Sequence, residues 1–162
     1  GEFVQEPEKF ESNFRRFAQK TDFLITGHFY AEGAPYLFTR EDAKRQDFRI
    51  NTIADISCDI DGPVASTIRP SSIAYPFYGY DPQNEEEVAF DDPKAITVMA
   101  VDNLPCELPK DASEGFGEMF AEHVIPAFFN EDKDGILARS KMTENAKLTK
   151  NFNYLTNFVI DR

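Results

Sequence analysis

Three short apolar runs constrain most strongly what this chain can fold into. They are "DFLITGHFY" (22–30), "RINTIADIS" (49–57) and "AITVMAV" (95–101), each nearly continuous in apolar and β-branched residues. Such runs are typical of strands buried on both faces, as in parallel sheets covered by helices. Because helical patterns alternate with them, the sequence predicts an α/β fold with a parallel sheet flanked by helices. Three strands are few for such a sheet, so we expect half of a doubly wound domain.

Helix signals lie before, between and after these strands. Pro7 and three phenylalanines spaced for one helical face predict a helix over 7–20. Thr39 with Asp42 resembles a capping box for a short helix. Three further elements are expected: a hairpin formed by "PFYGYDP" and "EEVAF", a helix capped by Asp111 with Glu114 and ended or kinked by Pro126, and an amphipathic helix over 143–160.

Charge and cysteine content argue against several classes of protein. The 162 residues include 29 acidic side chains against 17 Lys and Arg, a net charge of −12, and nucleic-acid partners require clustered cations. No apolar run reaches the roughly 18 residues of a membrane span, so no membrane partner is expected either. The two cysteines, Cys58 and Cys106, form no disulfide framework. This usage is typical of a reducing compartment and predicts a cytoplasmic protein.

Two acidic patterns suggest metal ions, and each has a simpler interpretation. "NEDKDGILARSK" (130–141) places oxygen ligands and a glycine as in a calcium loop, but Lys141 stands where a bidentate Glu is required. We interpret this segment as a charged turn. Asp55, Asp59 and Asp61 have even separations and would share one face of a strand, which could hold magnesium. With no His or further acid nearby in sequence, we predict no metal site.

Glycine-rich phosphate-binding motifs are missing from the sequence. "EGFGEM" (114–119) lies inside a predicted helix rather than between a strand and a helix, so its spacing carries no information. Neither G-x-G-x-x-G, nor a Walker motif, nor G-x-S-x-G occurs. A site for the pyrophosphate of a dinucleotide is therefore not expected in this chain.

The strongest functional signal is positional. "GHFY", "SCDIDGP" and "VDNLP" each follow one of the three predicted strands, and the carboxyl ends of parallel strands line the ligand crevice of an open α/β sheet. His28 stands at the first of these ends, where a ligand contact and a packed or solvent-facing histidine are both open interpretations. The three strand ends together predict a binding site at one edge of the sheet.

Three of these segments resemble a known family. "ADISCDI", "RPSSIAYPFYGYDP" and "AVDNLPCELPKDASEGFGEMF" resemble the alanine dehydrogenase and saccharopine dehydrogenase superfamily, above all the L-lysine-forming saccharopine dehydrogenases and lysine-ketoglutarate reductases. The resemblance covers residues 4–128. It implies the C-terminal half of a Rossmann-like NAD(P)-binding domain, lacking the glycine-rich first half.

The resemblance also implies site residues. Asp59 matches an acid that lies close to the nicotinamide and substrate in alanine dehydrogenases, which makes it the catalytic candidate. Arg69 matches an arginine of the alanine dehydrogenase cofactor site that not all lysine-ketoglutarate reductases keep. The other implied cofactor contacts lie at the three strand ends: Gly27, His28, Ile56, Ser57, Cys58, Val101, Asp102, Asn103 and Leu104.

The chemistry implied by the resemblance is reversible reductive amination with NAD or NADP. In the saccharopine branch, lysine and 2-oxoglutarate condense to an imine, to which the nicotinamide delivers hydride. The family's catalytic Lys and His and its pyrophosphate glycines match nothing in this chain, so we expect the isolated chain to be inactive. Asp61 stands where the related pattern has a small residue.

The expected organisation follows from the resemblance. Residues 1–3 ("GEF") are interpreted as a possible cloning remnant, residues 4–129 as the second half of the NAD(P)-binding domain, and 130–162 as a C-terminal helical segment. The competing hypothesis is a non-enzymatic α/β module that binds a ligand or a partner. A half sheet leaves apolar surface exposed, so we expect a homo-oligomer.

Overall fold

In the computed structural model, the chain forms two compact units, one ending at Glu107 and one beginning at Leu108. The structure describes residues 2–30 and 33–160. None of the helices in these residues is long and apolar enough to span a bilayer. The domain boundary predicted at 129/130 falls inside the second unit and stays a prediction.

The first unit contains a mixed sheet in the order β1-β2-β5-β3-β4. Its strands are β1 (Phe23–Thr26), β2 (Thr52–Asp55), β3 (Phe77–Asp81), β4 (Glu86–Val88) and β5 (Ile96–Met99). The three strands predicted from apolar runs are parallel neighbours, and the predicted hairpin, β3 and β4, joins the sheet antiparallel to β5. The α/β class is confirmed, with antiparallel strands added on one side.

One face of the sheet carries the core of the first unit. Ile53, Val98 and Tyr78 are direct cross-strand neighbours on this face, and all are buried. They pack with residues from the connecting segments, including Phe38 and Val64. The opposite face of β1 is not buried, because Phe23 and Ile25 are 55% and 60% exposed. The prediction that β1 is buried on both faces is therefore wrong.

Helices in the first unit are short. They are α1 (Glu2–Gln5), α2 (Arg15–Ala18) and α3 (Arg40–Ala43), with 3-10 turns at Pro7–Lys9 and Leu104–Glu107. The single helix predicted over 7–20 is wrong. Phe10 is extended, and Ser12 Oγ accepts a hydrogen bond from the Phe14 amide while donating to the Leu37 carbonyl, which starts a new turn.

The capping box of α3 is confirmed. The Thr39 hydroxyl accepts a hydrogen bond from the Asp42 amide, and the Asp42 carboxylate accepts one from the Thr39 amide. This arrangement satisfies two backbone donors at the helix start. It fixes where α3 begins and hence where Arg40 lies, which the functional site uses.

The second unit consists of short helices and one small hairpin. Its elements are α4 (Pro109–Met119), a π-helical turn (Phe120–Val124), a 3-10 turn (Ile125–Phe128), α5 (Ile136–Ser140), β6 (Thr143–Glu144), β7 (Lys147–Leu148), a 3-10 segment (Lys150–Leu155) and α6 (Thr156–Ile160). Two predictions need correction. The first helix begins at Pro109 without a side-chain cap, two residues before Asp111, because proline is favoured at a first helical position.

The second correction concerns the helix predicted over 143–160. Asn145 and Ala146 both adopt left-handed φ values, 51° and 61°, and join β6 to β7 as a tight hairpin. Two consecutive residues of this conformation are typical of a type I′ turn, which is incompatible with a helix. Helical structure in this region begins only at Lys150.

Candidate functional site

The carboxyl ends of β1, β2 and β5 lie side by side, as predicted. Thr26 pairs with Asp55, and Ala54 pairs with Met99. The segments that follow are also in contact. The His28 amide donates to Ser57 Oγ over 3.0 Å, and the Cys58 thiol donates to the Ala100 carbonyl over 3.2 Å. Residues from three separate parts of the sequence thus meet at one edge of the sheet.

Asp55 lies buried beneath this edge, where its carboxylate accepts hydrogen bonds from three separate segments. It is 1% exposed. Its Oδ1 accepts from the Thr26 hydroxyl at 2.7 Å and from the Cys58 amide at 3.1 Å, and its Oδ2 accepts from the Thr67 hydroxyl at 2.7 Å. A buried carboxylate is tolerated only with such partners. Asp55 therefore serves to hold the strand ends together and is not available to a ligand.

The loop that follows β2 adopts a strained, closely specified conformation. Cys58 and Asp61 have φ values of 52° and 51°, which non-glycine residues rarely adopt. At Gly62, a Cβ would lie 2.8 Å from both the Cβ and the carbonyl oxygen of Asp59. A side chain at 62 is thereby excluded, and the loop closes tightly around Asp59.

Asp61 anchors this loop to the rest of the unit. Its carboxylate forms an ion pair with Arg40 at 2.8 Å, its carbonyl accepts from the Tyr36 hydroxyl, and its amide donates to the Thr67 carbonyl. Arg40 also pairs with Glu85 at 3.1 Å. The acidity of Asp61, which the sequence alone did not explain, has a structural reason in the Arg40 ion pair.

Asp59 differs from both of its acidic neighbours. It is half-buried, and among the described residues no hydrogen bond or ion pair engages its carboxylate. Its carbonyl accepts from the Gly62 amide, which fixes the backbone but leaves the side chain unengaged. Of the three carboxylates Asp55, Asp59 and Asp61, only Asp59 is thus held in place by its backbone with its charged group available.

Burial and nearby carboxylates at this edge keep the Cys58 thiol protonated. Burial raises the pKa of Cys58, and the carboxylates of Asp55, Asp102 and Asp59 raise it further. The thiolate would add a fourth negative charge to this group, so the neutral thiol is favoured. The negative charge of the exposed edge therefore comes from Asp59 and Asp102, both of which lie close enough to act on Cys58.

The raised pKa predicts a difference in reactivity between the two cysteines. Cys106 is exposed, whereas Cys58 is half-buried and donates to Ala100. We expect iodoacetamide at pH 8 to alkylate Cys106 at least about tenfold faster, because the thiolate is the nucleophile. Peptide mapping by mass spectrometry measures both rates. Asp59→Asn is expected to accelerate alkylation of Cys58 alone, since it removes one of the charges that raise the pKa of Cys58. Equal alkylation rates for both cysteines in the unmodified chain would contradict this geometry.

His28 and Ser57 form a polar pair across β1 and β2. Ser57 Oγ lies 3.3 Å from His28 Nδ1 and also accepts from the His28 amide. The histidine is half-buried, and its contact with Ser57 favours one orientation of the ring. Gly27 beside it is open, since a Cβ there would meet nothing within 4 Å. Ile56, which directly follows β2, is exposed.

Residues after β5 contribute exposed polar groups to the same edge. Val101 is buried and forms a parallel bridge with Ser71. Ser71 Oγ accepts from the Ala100 amide at 2.9 Å, and the Ser71 amide donates to the Ala100 carbonyl at 2.8 Å. Asp102 and Asn103 follow in the open, and half-buried Leu104 begins the 3-10 turn.

Arg69, predicted at the cofactor, is held by a neighbour on β4. Its Nε and one terminal nitrogen donate to the two Glu87 oxygens at 2.6 Å each, and its guanidinium lies 4.4 Å from the Tyr78 ring centroid. This pair raises the pKa of Arg69 and lowers that of Glu87. A contact between Arg69 and a cofactor would require Glu87 to be displaced, and that role stays a prediction.

Neither acidic pattern is arranged for a metal ion. Asp55 and Asp61 are engaged with protein donors, as described above. In 130–141, the Asp132 carboxylate accepts from the Leu137 and Ala138 amides and so caps α5. Within the described ranges no group of three or more His, Cys, Asp or Glu side chains could hold a metal. The cap formed by Asp132 agrees with the interpretation of 130–141 as a charged turn.

Sequence reasoning missed the hydroxyl groups that organise the site. Thr26, Thr67 and Tyr36 bind Asp55 or Asp61, and Ser71 binds the end of β5. Thr67 and Ser71 lie in "STIRPSS", a proline-containing stretch that reads as a loop. The sequence feature that could have indicated these groups is the run of small hydroxyl residues in this stretch, which follows soon after the acids at the end of β2.

Comparisons with known proteins find distant relatives. The chain is 25% identical to the mitochondrial alpha-aminoadipic semialdehyde synthase of Mus musculus, covering 95% of this chain and 19% of that protein. It is 27% identical to the Arabidopsis thaliana alpha-aminoadipic semialdehyde synthase, with 95% and 15% covered, and 28% identical to the mitochondrial Bos taurus protein, with 76% and 15% covered. No family model matches the chain. The chain thus spans less than one fifth of the length of these relatives.

Proposed function

We propose that this chain forms the nicotinamide-facing part of an NAD(P)-dependent amino-acid dehydrogenase of the saccharopine type. The reaction is reversible reductive amination, with lysine and 2-oxoglutarate as partners. One observation carries the proposal: three parallel strand ends meet at one edge, and of the three acids at the end of β2 and in the loop after it, only Asp59 keeps an unengaged carboxylate. The distant similarity to alpha-aminoadipic semialdehyde synthases supports the same chemistry.

The residues at this edge fit a nicotinamide group. Asn103 is exposed and offers both a donor and an acceptor, as a carboxamide requires. Gly27 leaves room for close approach, and Ile56 offers exposed apolar surface. His28, Ser57, Cys58, Val101, Asp102 and Leu104 complete the proposed contacts. The cofactor, NAD or NADP, supplies the hydride.

Asp59 stabilises positive charge in this proposal. An iminium group carries a positive charge, and a carboxylate nearby favours it or exchanges a proton with it. Because the Cys58 thiol stays neutral and Asp55 is buried, the accessible negative charge near this position is carried by Asp59 and Asp102. The loop geometry at Cys58 and Gly62 holds Asp59 without occupying its oxygens. The other catalytic groups, a Lys and a His, belong to a further part of the enzyme.

Activity measurements test the proposal directly. The isolated chain, mixed with lysine, 2-oxoglutarate and NADH or NADPH, is expected to show no decrease in absorbance at 340 nm. In a polypeptide that also carries the catalytic lysine and histidine, Asp59→Ala is expected to lower kcat at least about 100-fold. Asp91→Ala, at an exposed position away from the strand ends, is the matched control and should leave kcat unchanged. Unchanged turnover in Asp59→Ala would overturn the role of this residue.

A non-enzymatic binding module is the competing function, and one observation favours it. The first unit has a buried core of its own, which includes Tyr78, Tyr80 and Val98. The gene separates the two proposals: a G-x-G-x-x-G motif and a second domain encoded in the same reading frame support the enzyme, and a reading frame without them supports the module. Cytoplasmic location stays a prediction; the relatives from mouse and cattle are named mitochondrial.

A further inference from the structure

Much of the sheet face opposite the core of the first unit is apolar and exposed, apart from the position of Gly79, where the 89–95 segment crosses over β3. Ile25, Ala54, Met99 and Phe77 are direct neighbours across four strands and form one continuous row. Phe23, Thr52 and Thr97 form a second row beside it. These seven positions carry no charged side chain. We call the surface formed by Phe23, Ile25, Ala54, Met99, Phe77 and the adjacent Phe90 the apolar face.

Exposure of the large side chains is high for a sheet surface. Phe23 and Ile25 are 55% and 60% exposed, and Phe77 and Phe90 are 50% and 52% exposed. The rings of Phe77 and Phe90 lie 6.2 Å apart, so Phe90 adjoins the row at its β3 end. An aromatic side chain contributes roughly 150–250 Å² when fully exposed. The apolar face therefore presents about 500 Å² of contiguous apolar surface, at the upper end of what monomers tolerate.

We propose that the apolar face is the interface between two copies of this chain, stacked about a two-fold axis. A two-fold contact uses the same patch on both copies and needs no second complementary surface. Two such patches bury about 1,000 Å² in total, which is the lower limit for a specific interface. A dimer with a dissociation constant of about 10–100 μM is therefore expected.

The charge of the chain gives this dimer a characteristic response to salt. Each copy carries a net charge of −12, so two copies repel each other, while the rows of the apolar face carry no charge. Salt screens the repulsion between copies but does not weaken apolar contact. Raising the ionic strength from 20 mM to 300 mM should tighten the dimer, whereas an interface built on ion pairs would weaken.

Sedimentation velocity of the full chain from 5 to 500 μM tests the proposal. The unmodified chain is expected to shift from monomer to dimer over this range. Ile25→Lys and Phe77→Lys each place a charge in the interface and should raise the dissociation constant at least 100-fold. Because both positions are half-exposed in the single copy, these variants are expected to fold, which circular dichroism checks. Tyr75→Lys is the matched control, since this residue is 79% exposed outside the two rows.

Each other outcome overturns the proposal. A chain that stays monomeric to 500 μM excludes the interface, as does a dimer that both lysine variants leave intact or that the control weakens equally. A dimer that dissociates with added salt rests on charges elsewhere. A monomer that binds the apolar dye ANS, with binding lost in Ile25→Lys, would assign the face to a different partner.

Discussion

Replacing Asp55 by alanine is expected to lower the free energy of unfolding by about 3–5 kcal/mol. The substitution leaves the buried hydroxyls of Thr26 and Thr67 and the Cys58 amide without their acceptor. Each unsatisfied buried donor costs about 1–3 kcal/mol, although a hydroxyl can recover part of this by rotating. Urea unfolding followed by circular dichroism measures the loss.

Two further variants separate the role of Asp55 as a buried hydrogen-bond acceptor from the general effect of removing an acid. Asp55→Asn keeps one oxygen acceptor but places an amide N–H₂ against a hydroxyl, so an intermediate loss of about 1–3 kcal/mol is expected. Asp59→Ala removes a carboxylate four residues away that no described residue engages, and should change stability by less than about 0.5 kcal/mol. Equal losses for Asp55→Ala and Asp59→Ala would contradict the division of roles between these carboxylates.

The convergence of the strand ends could be predicted because parallel strands impose it. Once "DFLITGHFY", "RINTIADIS" and "AITVMAV" are identified as parallel strands, the polar residues that follow them must lie at one edge. The roles of the individual acids could not be predicted in this way. Asp55 and Asp59 have the same side chain in the same segment, and only their partners distinguish them.

Those partners lie far away in sequence. Asp55 binds hydroxyls 29 and 12 residues away, and Asp61 binds a guanidinium 21 residues away. Threonine and arginine occur throughout the chain, so no local pattern marks these particular ones. Even separations between the three acids suggested a common face, but the left-handed Cys58 ends the strand geometry on which that argument depends.

Errors in the predicted helices have a related cause. The apolar spacing around Phe10, Phe14 and Phe17 is compatible with a helix, yet Ser12 bonds to the Leu37 carbonyl and interrupts it. At Asn145, a left-handed turn prevails over an amphipathic pattern. A single long-range hydrogen bond in the first case and a local backbone conformation in the second outweigh periodicity, because a short helix gains little from its own propensity.

Burial of β1 on both faces was predicted from its apolar run, and the exposed side chains of Phe23 and Ile25 contradict it. A continuous apolar run shows that both faces of a strand suit apolar contact, but not which contact is made. If the apolar face binds a second copy, the run reflects burial in the dimer. The exposed face of β1, which contradicts the predicted burial in the single chain, then agrees with the proposed interface.

Gly79→Ala is expected to destabilise the first unit by about 3 kcal/mol or more, by overpacking against backbone atoms. Gly79 lies in the middle of β3, and a Cβ there would lie 2.3 Å from the Ala89 carbonyl oxygen and 3.0 Å from the Ala95 Cβ. The segment from Ala89 to Ala95 crosses over the sheet at this position, held by the bond from the Thr97 hydroxyl to the Phe90 carbonyl. A backbone oxygen cannot rotate away as a flexible side chain can, so the crossing segment or β3 must shift.

Gly27→Ala is the matched control for this change. Gly27 follows β1, and a Cβ there would meet nothing within 4 Å. The unfolding free energy of the Gly27→Ala variant should therefore stay within about 0.5 kcal/mol of that of the unmodified chain. Thermal unfolding of both variants, followed by near-ultraviolet circular dichroism of the tyrosines, measures the contrast. Because displacement of Phe90 would also disturb the apolar face, Gly79→Ala should weaken self-association in any fraction that remains folded. An unaltered melting temperature in Gly79→Ala would contradict the close crossing of the 89–95 segment over β3.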